Sequence, residues 1–355
     1  KMLYDQAAIA VSYLEAFQIT RDPLYSSVAR DVLDYVAANL TDSHGAFFSA
    51  EDAESAPDPA RPDEKEEGAW YLWTGKEIEN LIGKEGAELF NYRYGVSDSG
   101  NALEDPLDAF HEKNILYAAH TIEESAAKFG ITAEKAGRII ADARMNLRAA
   151  REKRPRPQLD DKVITAWNGL MISAFAKAYQ ILNDPKDLEH ATRAATFLMS
   201  HLHDSETGTL HRRYRDGEAR FEGSLQDYAF LTRGLLDLYE ASFDLRWLQS
   251  AITLTKEQIG LFADTSGGGF FDGSGKDPTV LIRTKEDYDG AEPSGNSIAA
   301  LNLFRLAQMT DSKELRAMAE KTITAFGSRL RSSPEAVPEM LVALDWSSST
   351  PREII

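Results

Sequence analysis

Apolar positions along most of this chain recur at three- and four-residue steps, the period that puts them on one face of an α-helix. Leu231, Leu235, Leu238 and Ala241 show the rule in one stretch. Three stretches share a longer plan: a periodic helix, a turn with Asp, a second helix, then a glycine with apolar or aromatic residues. The first runs from Leu3 to Ile19, turns at Asp22-Pro23, continues from Val28 to Leu40 and closes in Gly45-Ala46-Phe47-Phe48. The second runs from Ile164 to Leu182, turns at Asp184-Pro185, continues to Leu202 and closes in Gly208-Thr209-Leu210-His211. The third runs from Leu225 to Phe243, turns at Asp244, continues to Phe262 and closes in Gly267-Gly268-Gly269-Phe270-Phe271.

Asp22 and Gly45, Asp184 and Gly208, and Asp244 and Gly269 lie 23, 24 and 25 residues apart, so the three read as homologous helical hairpins. Asp-Pro marks a helix start, with Asp as N-cap and Pro in the first turn. The glycine-aromatic endings read as short strands or extended segments. A fourth hairpin spans Ser297 to Met309, turns at Asp311 and runs from Leu315 to Leu330 without that ending.

Residues 49–160 read as an insertion-like region. It opens in the Pro-rich charged loop Ala56–Lys65, followed by Ala69-Trp70-Tyr71-Leu72-Trp73 as a strand. Trp70 and Trp73 would then face opposite sides, leaving Trp73 as a candidate binding aromatic. Thr74 with Glu77 spells a capping box, and helices are expected over Lys76–Leu81, Glu85–Tyr92, Ile122–Lys128 and Ala133–Arg151. With Pro334–Leu344 these make about six helix pairs. The expectation is an all-α single domain over 1–355, an (α/α)6 toroid with short β-hairpins or extended segments in its loops. An open solenoid is the alternative, but its repeats are normally shorter than the roughly 60-residue spacing here.

Charge and composition narrow the chemistry. With 39 Lys+Arg against 57 Asp+Glu the net charge is −18, which disfavours nucleic acid and a polybasic membrane-surface role. There is no cysteine, hence no disulfide, thiolate metal site or cysteine nucleophile in this sequence. No run of 18 apolar residues exists, so no membrane-spanning helix is expected. No signal-peptide pattern opens the sequence, and a cytoplasmic setting is expected. The beginning at Lys1 and the end at Arg352-Glu353-Ile354-Ile355 suggest a piece of a longer protein.

In a toroid, the segments that lead into the inner helices face a central cup. Four such segments mix carboxylates with aromatic or amide groups, the partners that a sugar ring and its hydroxyls need. They are Tyr4-Asp5-Gln6; Leu159 to Lys162 followed by Thr165 to Gly169; Glu222 to Tyr228; and Glu286 to Ser297. Asp5, Asp161 and Asp227 can equally cap helices. The fourth segment packs Glu286, Asp287, Asp289 and Glu292 into seven residues, and such clustering would raise at least one pKa, as a general acid requires. His211 is the best histidine candidate for an acid–base or anion-binding role. His201 and His203 complete no metal site, and no metal or cofactor is expected. Glu51 to Glu54 with Glu66 and Glu67 read as a solvated acidic rim rather than a cation loop. Arg151 to Arg156 form a basic helix end and loop. Nucleotide-binding glycine loops and the serine-hydrolase elbow are absent.

Long motifs in order along nearly the whole chain carry a resemblance: Gly45 to Glu54, Gly68 to Thr74, Leu159 to Leu170, and Tyr288 to Ser297. Together they resemble the YyaL-like, spermatogenesis-associated protein 20-like family of thioredoxin-domain-containing proteins. The resemblance implies a six-hairpin glycosidase-like fold, akin to N-acylglucosamine 2-epimerases, without the N-terminal thioredoxin-like domain, whose partner it would be. It does not supply a reaction. The resemblance implies for the epimerase relatives a histidine pair on inner helices that cannot be placed in this sequence, and for the hydrolase relatives carboxylates, which it has in the expected loops. The expected function is therefore a carbohydrate-active domain, with glycoside hydrolysis as the leading reading. Asp161, Asp227, Asp289 and Glu292 are its candidate acids, and Trp167, Asn168, Tyr228, Tyr288, Asn296, His211 and Trp73 its candidate saccharide contacts. The alternatives are a sugar 2-epimerase-like isomerase and a non-catalytic sugar- or partner-binding module.

Overall fold

A computed structural model describes residues 1–102 and 110–349; the terminal Arg352–Ile355 lies outside them. The chain divides into two compact units, Lys1–Ala50 with the chain from Asp160 onward, and Glu51–Leu159.

In chain order the first unit begins with α1 (Leu3–Thr20) and α2 (Pro23–Asn39). The short strands β1 (Ala50–Glu51), β2 (Glu54–Ser55) and β3 (Glu66–Glu67) follow, then α3 (Gly75–Ile82), α4 (Lys84–Arg93), α5 (Ile122–Phe129), α6 (Ala133–Arg151) and β4 (Leu159–Asp160). The first unit resumes with β5 (Val163–Ile164), α7 (Thr165–Leu182), α8 (Pro185–His201), β6 (His203–Asp204), β7 (Thr209–Arg215) and β8 (Glu218–Glu222). It continues with α9 (Leu225–Ser242), α10 (Leu245–Phe262), α11 (Gly295–Thr310), α12 (Lys313–Ala325), α13 (Gly327–Ser332) and α14 (Pro338–Ser348).

Burial separates the helices of the first unit into two layers. α2, α8, α10 and α12 bury one stripe each, as amphipathic outer helices do. In α11 every residue from Gly295 to Ala307 is buried, and α9 is nearly as enclosed. α1, which buries only Leu3, Ala7, Ala10 and Leu14, packs on α7, α7 on α9 and α9 on α11, with α14 against α11; each outer helix packs on its own inner partner. This is the helix-hairpin arrangement of the (α/α) toroid class. The α7–α9 contact is backbone to backbone: a Cβ on Gly169 would lie 2.5 Å from the Phe230 carbonyl, and one on Gly234 2.5 Å from the Gly169 oxygen.

All four hairpins turn in the same way. The residues after α1, α7, α9 and α11, namely Arg21, Asn183, Phe243 and Asp311, adopt left-handed conformations at φ 59, 57, 55 and 51°. The next residue, Asp22, Asp184, Asp244 or Ser312, caps the outer helix with its side chain. In the fourth hairpin, then, Asp311 bends the chain and Ser312 does the capping. α12 ends at Ala325 and the chain restarts as α13, where one helix to Leu330 was expected.

The closing segments are gripped by the hairpin that follows. Asn168 of α7 accepts from the Phe47 N–H and donates to the Phe47 carbonyl, both at 2.9 Å. Asn296 of α11 does the same to Phe270, at 2.8 and 2.9 Å. At the middle hairpin the Tyr228 hydroxyl takes this place, accepting from Leu210 N–H at 2.9 Å and donating to the Gly208 carbonyl at 3.3 Å.

The second unit has its own core, with Ile78, Phe90, Ala136 and Ile140 at its centre. Its helices follow the expected spans to within a residue, and the Thr74–Glu77 capping box is formed. The strand expected over residues 69–73 is instead a run of turns. Gly68, at φ 73°, accepts from both Tyr71 and Leu72 through its carbonyl, which curls the chain before Trp73 bridges to Asn114.

Candidate functional site

Four chain segments of the first unit bring polar and aromatic groups together at the N-terminal ends of its inner helices. Tyr4 comes from the first turn of α1, Trp167 from the first turn of α7, Arg212 from β7 and Glu292 from the segment before α11. The Trp167 indole Nε1 donates to Glu292 Oε1 at 2.8 Å. Tyr4 meets the Trp167 ring edge-on, with centroids 5.0 Å apart.

Burial raises the Glu292 carboxyl above its ordinary range, and the negative charges of Asp227 and Glu286 add to that. The Trp167 hydrogen bond and Arg212 oppose the rise without cancelling it. Tyr4 is raised as well, first by burial and then by Asp5 and Glu292. Glu286, nearer the solvent, is raised by partial burial and by Asp272, Asp289 and Asp287. A carboxyl that holds its proton beside an aromatic surface can donate that proton to an oxygen; a second carboxylate can take one from water.

The other expected site residues have different surroundings. Asp227 has no exposed surface: its Oδ2 accepts from the Ser224 N–H at 2.8 Å and hydroxyl at 3.0 Å, and its Oδ1 from the Ala166 N–H at 3.2 Å. It closes the capping box of α9, and burial raises its pKa. Asp289 is spent likewise. Its Oδ1 accepts from Ser294 N–H and the Ser297 hydroxyl, both at 2.8 Å, and its Oδ2 from the Glu339 and Met340 N–H groups at 2.9 and 3.4 Å. Both therefore hold the site's framework and offer no free oxygen to a ligand.

Asp161 is half-exposed and paired with Arg215 at 2.7 Å. Asn168, Asn296 and Tyr228 are corrected from ligand contacts to backbone pins, since their polar atoms are engaged as described above and they are at most 1% exposed. The Tyr228 hydroxyl is pushed up to about 12, chiefly by burial. Trp73 is also corrected: it lies in the core of the second unit with the Arg154 guanidinium 3.9 Å over its ring. Tyr288 is exposed. The His211 carbonyl accepts from the Thr165 hydroxyl at 2.6 Å, and its Nδ1 is buried without a hydrogen-bond partner. Among the described residues, no three His, Asp or Glu side chains are grouped to hold a metal ion.

A cavity of about 600 Å³ in the same unit is lined by residues of α1, α7, α9, α11 and α14 and of the segment before α11. Ala291 and Pro293, the neighbours of Glu292, line it, so one segment borders both the cavity and the aromatic cluster. Much of the wall is apolar, including Val11, Leu170, Leu301 and Trp346. Its polar side holds an ionic network: Arg305 reaches Asp237 at 2.7 Å and Glu240 at 2.9 Å, while the Ser173 hydroxyl donates to Asp237. Burial opposes the charge on Asp237, yet Arg305, Arg233 and Lys177 together keep its carboxyl below the usual range. Lys177 pairs with Glu15, and Arg233 with Glu339, each at 2.5 Å.

No loop motif in the sequence marks this network. Its signal is a charged residue set singly in an apolar helical run, as in Phe175-Ala176-Lys177-Ala178 and Leu303-Phe304-Arg305-Leu306.

No protein-family model matches the chain. The chain is 39% identical to human spermatogenesis-associated protein 20 over 375 aligned residues, covering 100% of this chain and 48% of that protein. To the rat protein of the same name it is 40% identical, covering 100% of this chain and 47% of the relative. It thus spans about half the length of these curated relatives. Among solved structures it is similar to a D-mannose isomerase at 13% identity and a TM-score of 0.45, covering 92% of this chain and 74% of the other. A sugar epimerase from a ruminal bacterium gives 9% identity and 0.45, with 94% and 76% covered. A family 76 glycoside hydrolase, an α-mannanase of Bacteroides thetaiotaomicron, gives 14% and 0.44, with 61% and 63% covered. Among the described residues no helix is long and apolar enough to cross a membrane.

Proposed function

We propose, on the premise that this chain is a homologue of spermatogenesis-associated protein 20 matched along its whole length, that its first unit is a carbohydrate-active domain. We take glycoside hydrolysis as its reaction. The observation that carries this reading is the Glu292 carboxyl, raised by burial and held by the Trp167 indole beside Tyr4. Glu292 supplies the proton to the departing glycosidic oxygen while that bond to the anomeric carbon breaks. Water attacks the same carbon and gives its proton to the second carboxylate, a role we assign to Glu286, whose charge acts on Glu292. Tyr4 and Trp167 offer ring faces to the apolar side of the sugar. Asp227 and Asp289 hold this arrangement and take no part in proton transfer. The thioredoxin-like domain that the family resemblance implies is a partner within the longer polypeptide.

The test is turnover of a broad oligosaccharide panel by the purified chain, with products resolved by chromatography. Glu292→Gln should lower kcat by roughly 10²–10⁴-fold. An unchanged rate removes Glu292 from the chemistry.

A second reading, sugar binding without turnover, draws support from the commitment of Asp227 and Asp289 to backbone amides. It predicts saturable binding with no product at any enzyme concentration.

A further inference from the structure

We infer that the cavity among the inner helices is a sugar-binding subsite, bordered by the Ala291 and Pro293 neighbours of Glu292, and that it selects uncharged saccharide units over acidic, amino or phosphorylated ones. This deepens the saccharide reading above and rests on it. The cavity volume of about 600 Å³ falls within the span of roughly 300–1,000 Å³ usual for small-ligand sites.

The selectivity follows from how the charges on the wall are paired. Glu15 holds Lys177, Glu339 holds Arg233, and Arg305 is shared between Asp237 and Glu240. The remaining carboxylate, Asp289, already accepts three backbone N–H groups and a hydroxyl. An anionic ligand would have to draw a cation from its carboxylate, inside a wall that carries more acids than bases. A cationic ligand would have to compete with an arginine or lysine at close range. Breaking the buried Arg305–Asp237 pair would leave one charge uncompensated, which is costly. A neutral polyol avoids both costs. Its hydroxyls accept from Arg and Lys donors and donate to carboxylate oxygens without separating a pair. The apolar part of the wall, with Val11, Leu170 and Trp346, suits the C–H face of a pyranose.

The test is calorimetric titration of the purified chain with D-glucose, D-mannose and D-galactose. Each is set against its uronate, its 2-amino sugar and its 6-phosphate. At least one neutral hexose should bind tenfold or more tightly than its three charged derivatives, and Val11→Trp, which fills the cavity, should weaken that binding at least tenfold. Val342→Trp, at a half-exposed cavity position on α14, serves as the second filling variant, and both are checked by thermal melting.

Binding of a charged derivative as tightly as its parent overturns the inference, and so does failure of every neutral hexose to bind. Binding that both fillings spare and Glu292→Gln abolishes removes the cavity while leaving the Glu292 cluster as the sugar site. Binding that the fillings abolish, with no turnover of any oligosaccharide, sustains the cavity and removes the hydrolytic part of the reading above.

Discussion

The Trp167 indole and the Glu292 carboxyl are joined by a 2.8 Å hydrogen bond across 125 positions of sequence, and this bond favours the ionised form of an acid whose pKa burial raises. Trp167→Phe keeps the ring and removes the donor. The Glu292 pKa should then rise further, visible as an upward shift of its side-chain carbon titration by NMR. A titration that stays in place would show that the bond does not set the acidity.

The same acid makes stability depend on pH. Its folded pKa lies above its unfolded one, so the folded state holds the proton more tightly between the two values. The stabilisation is present below the unfolded pKa and is lost as pH rises through the folded one. Glu292→Gln should therefore melt higher than the parent at neutral pH, and the gap should close below the ordinary glutamate range. A gap independent of pH would contradict the raised pKa.

Asp289 ties the Glu292 segment to the first turn of α14 through the Glu339 and Met340 amides. Asp289→Ala removes charge-assisted bonds at a buried position and should cost roughly 3 kcal/mol in urea unfolding. Hydrogen exchange should accelerate at the amides of Glu339 and Met340 first. Protection unchanged at those two amides would disprove the tie.

Asn168→Ala leaves the Phe47 N–H and carbonyl buried without partners, and Asn296→Ala does so for Phe270. Each should destabilise the chain by about 1–3 kcal/mol while sugar binding by the folded fraction stays unchanged. A loss of binding with full stability would return these residues to the ligand.

Phe243 is 78% exposed and sits in the left-handed turn that Asn183 occupies in the preceding hairpin. An aromatic side chain is strained there, whereas Asn adopts that conformation readily. Phe243→Asn should stabilise the chain by up to about 1 kcal/mol in urea unfolding. A loss of stability would mean that the ring's contact with Tyr239 outweighs the strain.

The hairpins were legible because a helix writes its period and its caps locally: Asp22-Pro23, Asp184-Pro185 and the Thr74–Glu77 box all form as their spacing implies. The fate of a carboxylate is not local. Asp289 reads as a candidate acid until Glu339 and Met340, some fifty residues on, claim one of its oxygens. Glu292 and Trp167 were both visible as candidates, but their bond was not. Trp73 misled because alternating aromatics imitate a strand, while the turn at Gly68 and the core of the second unit decide where that ring goes. The charges along the cavity leave no loop motif, because most of these side chains lie inside helices.

The grip of each hairpin on the loop before it bears on how the molecule comes apart. Asn168 and Asn296 hold the endings of the preceding hairpins, and Tyr228 does so in between. No hairpin along this series can detach without breaking the hydrogen bonds that clasp it to its neighbour, so mechanical or thermal damage is shared rather than contained. Such a molecule tolerates little trimming from within. A cut between consecutive hairpins would release two incomplete pieces, whereas loss should proceed from the ends, one clasp at a time.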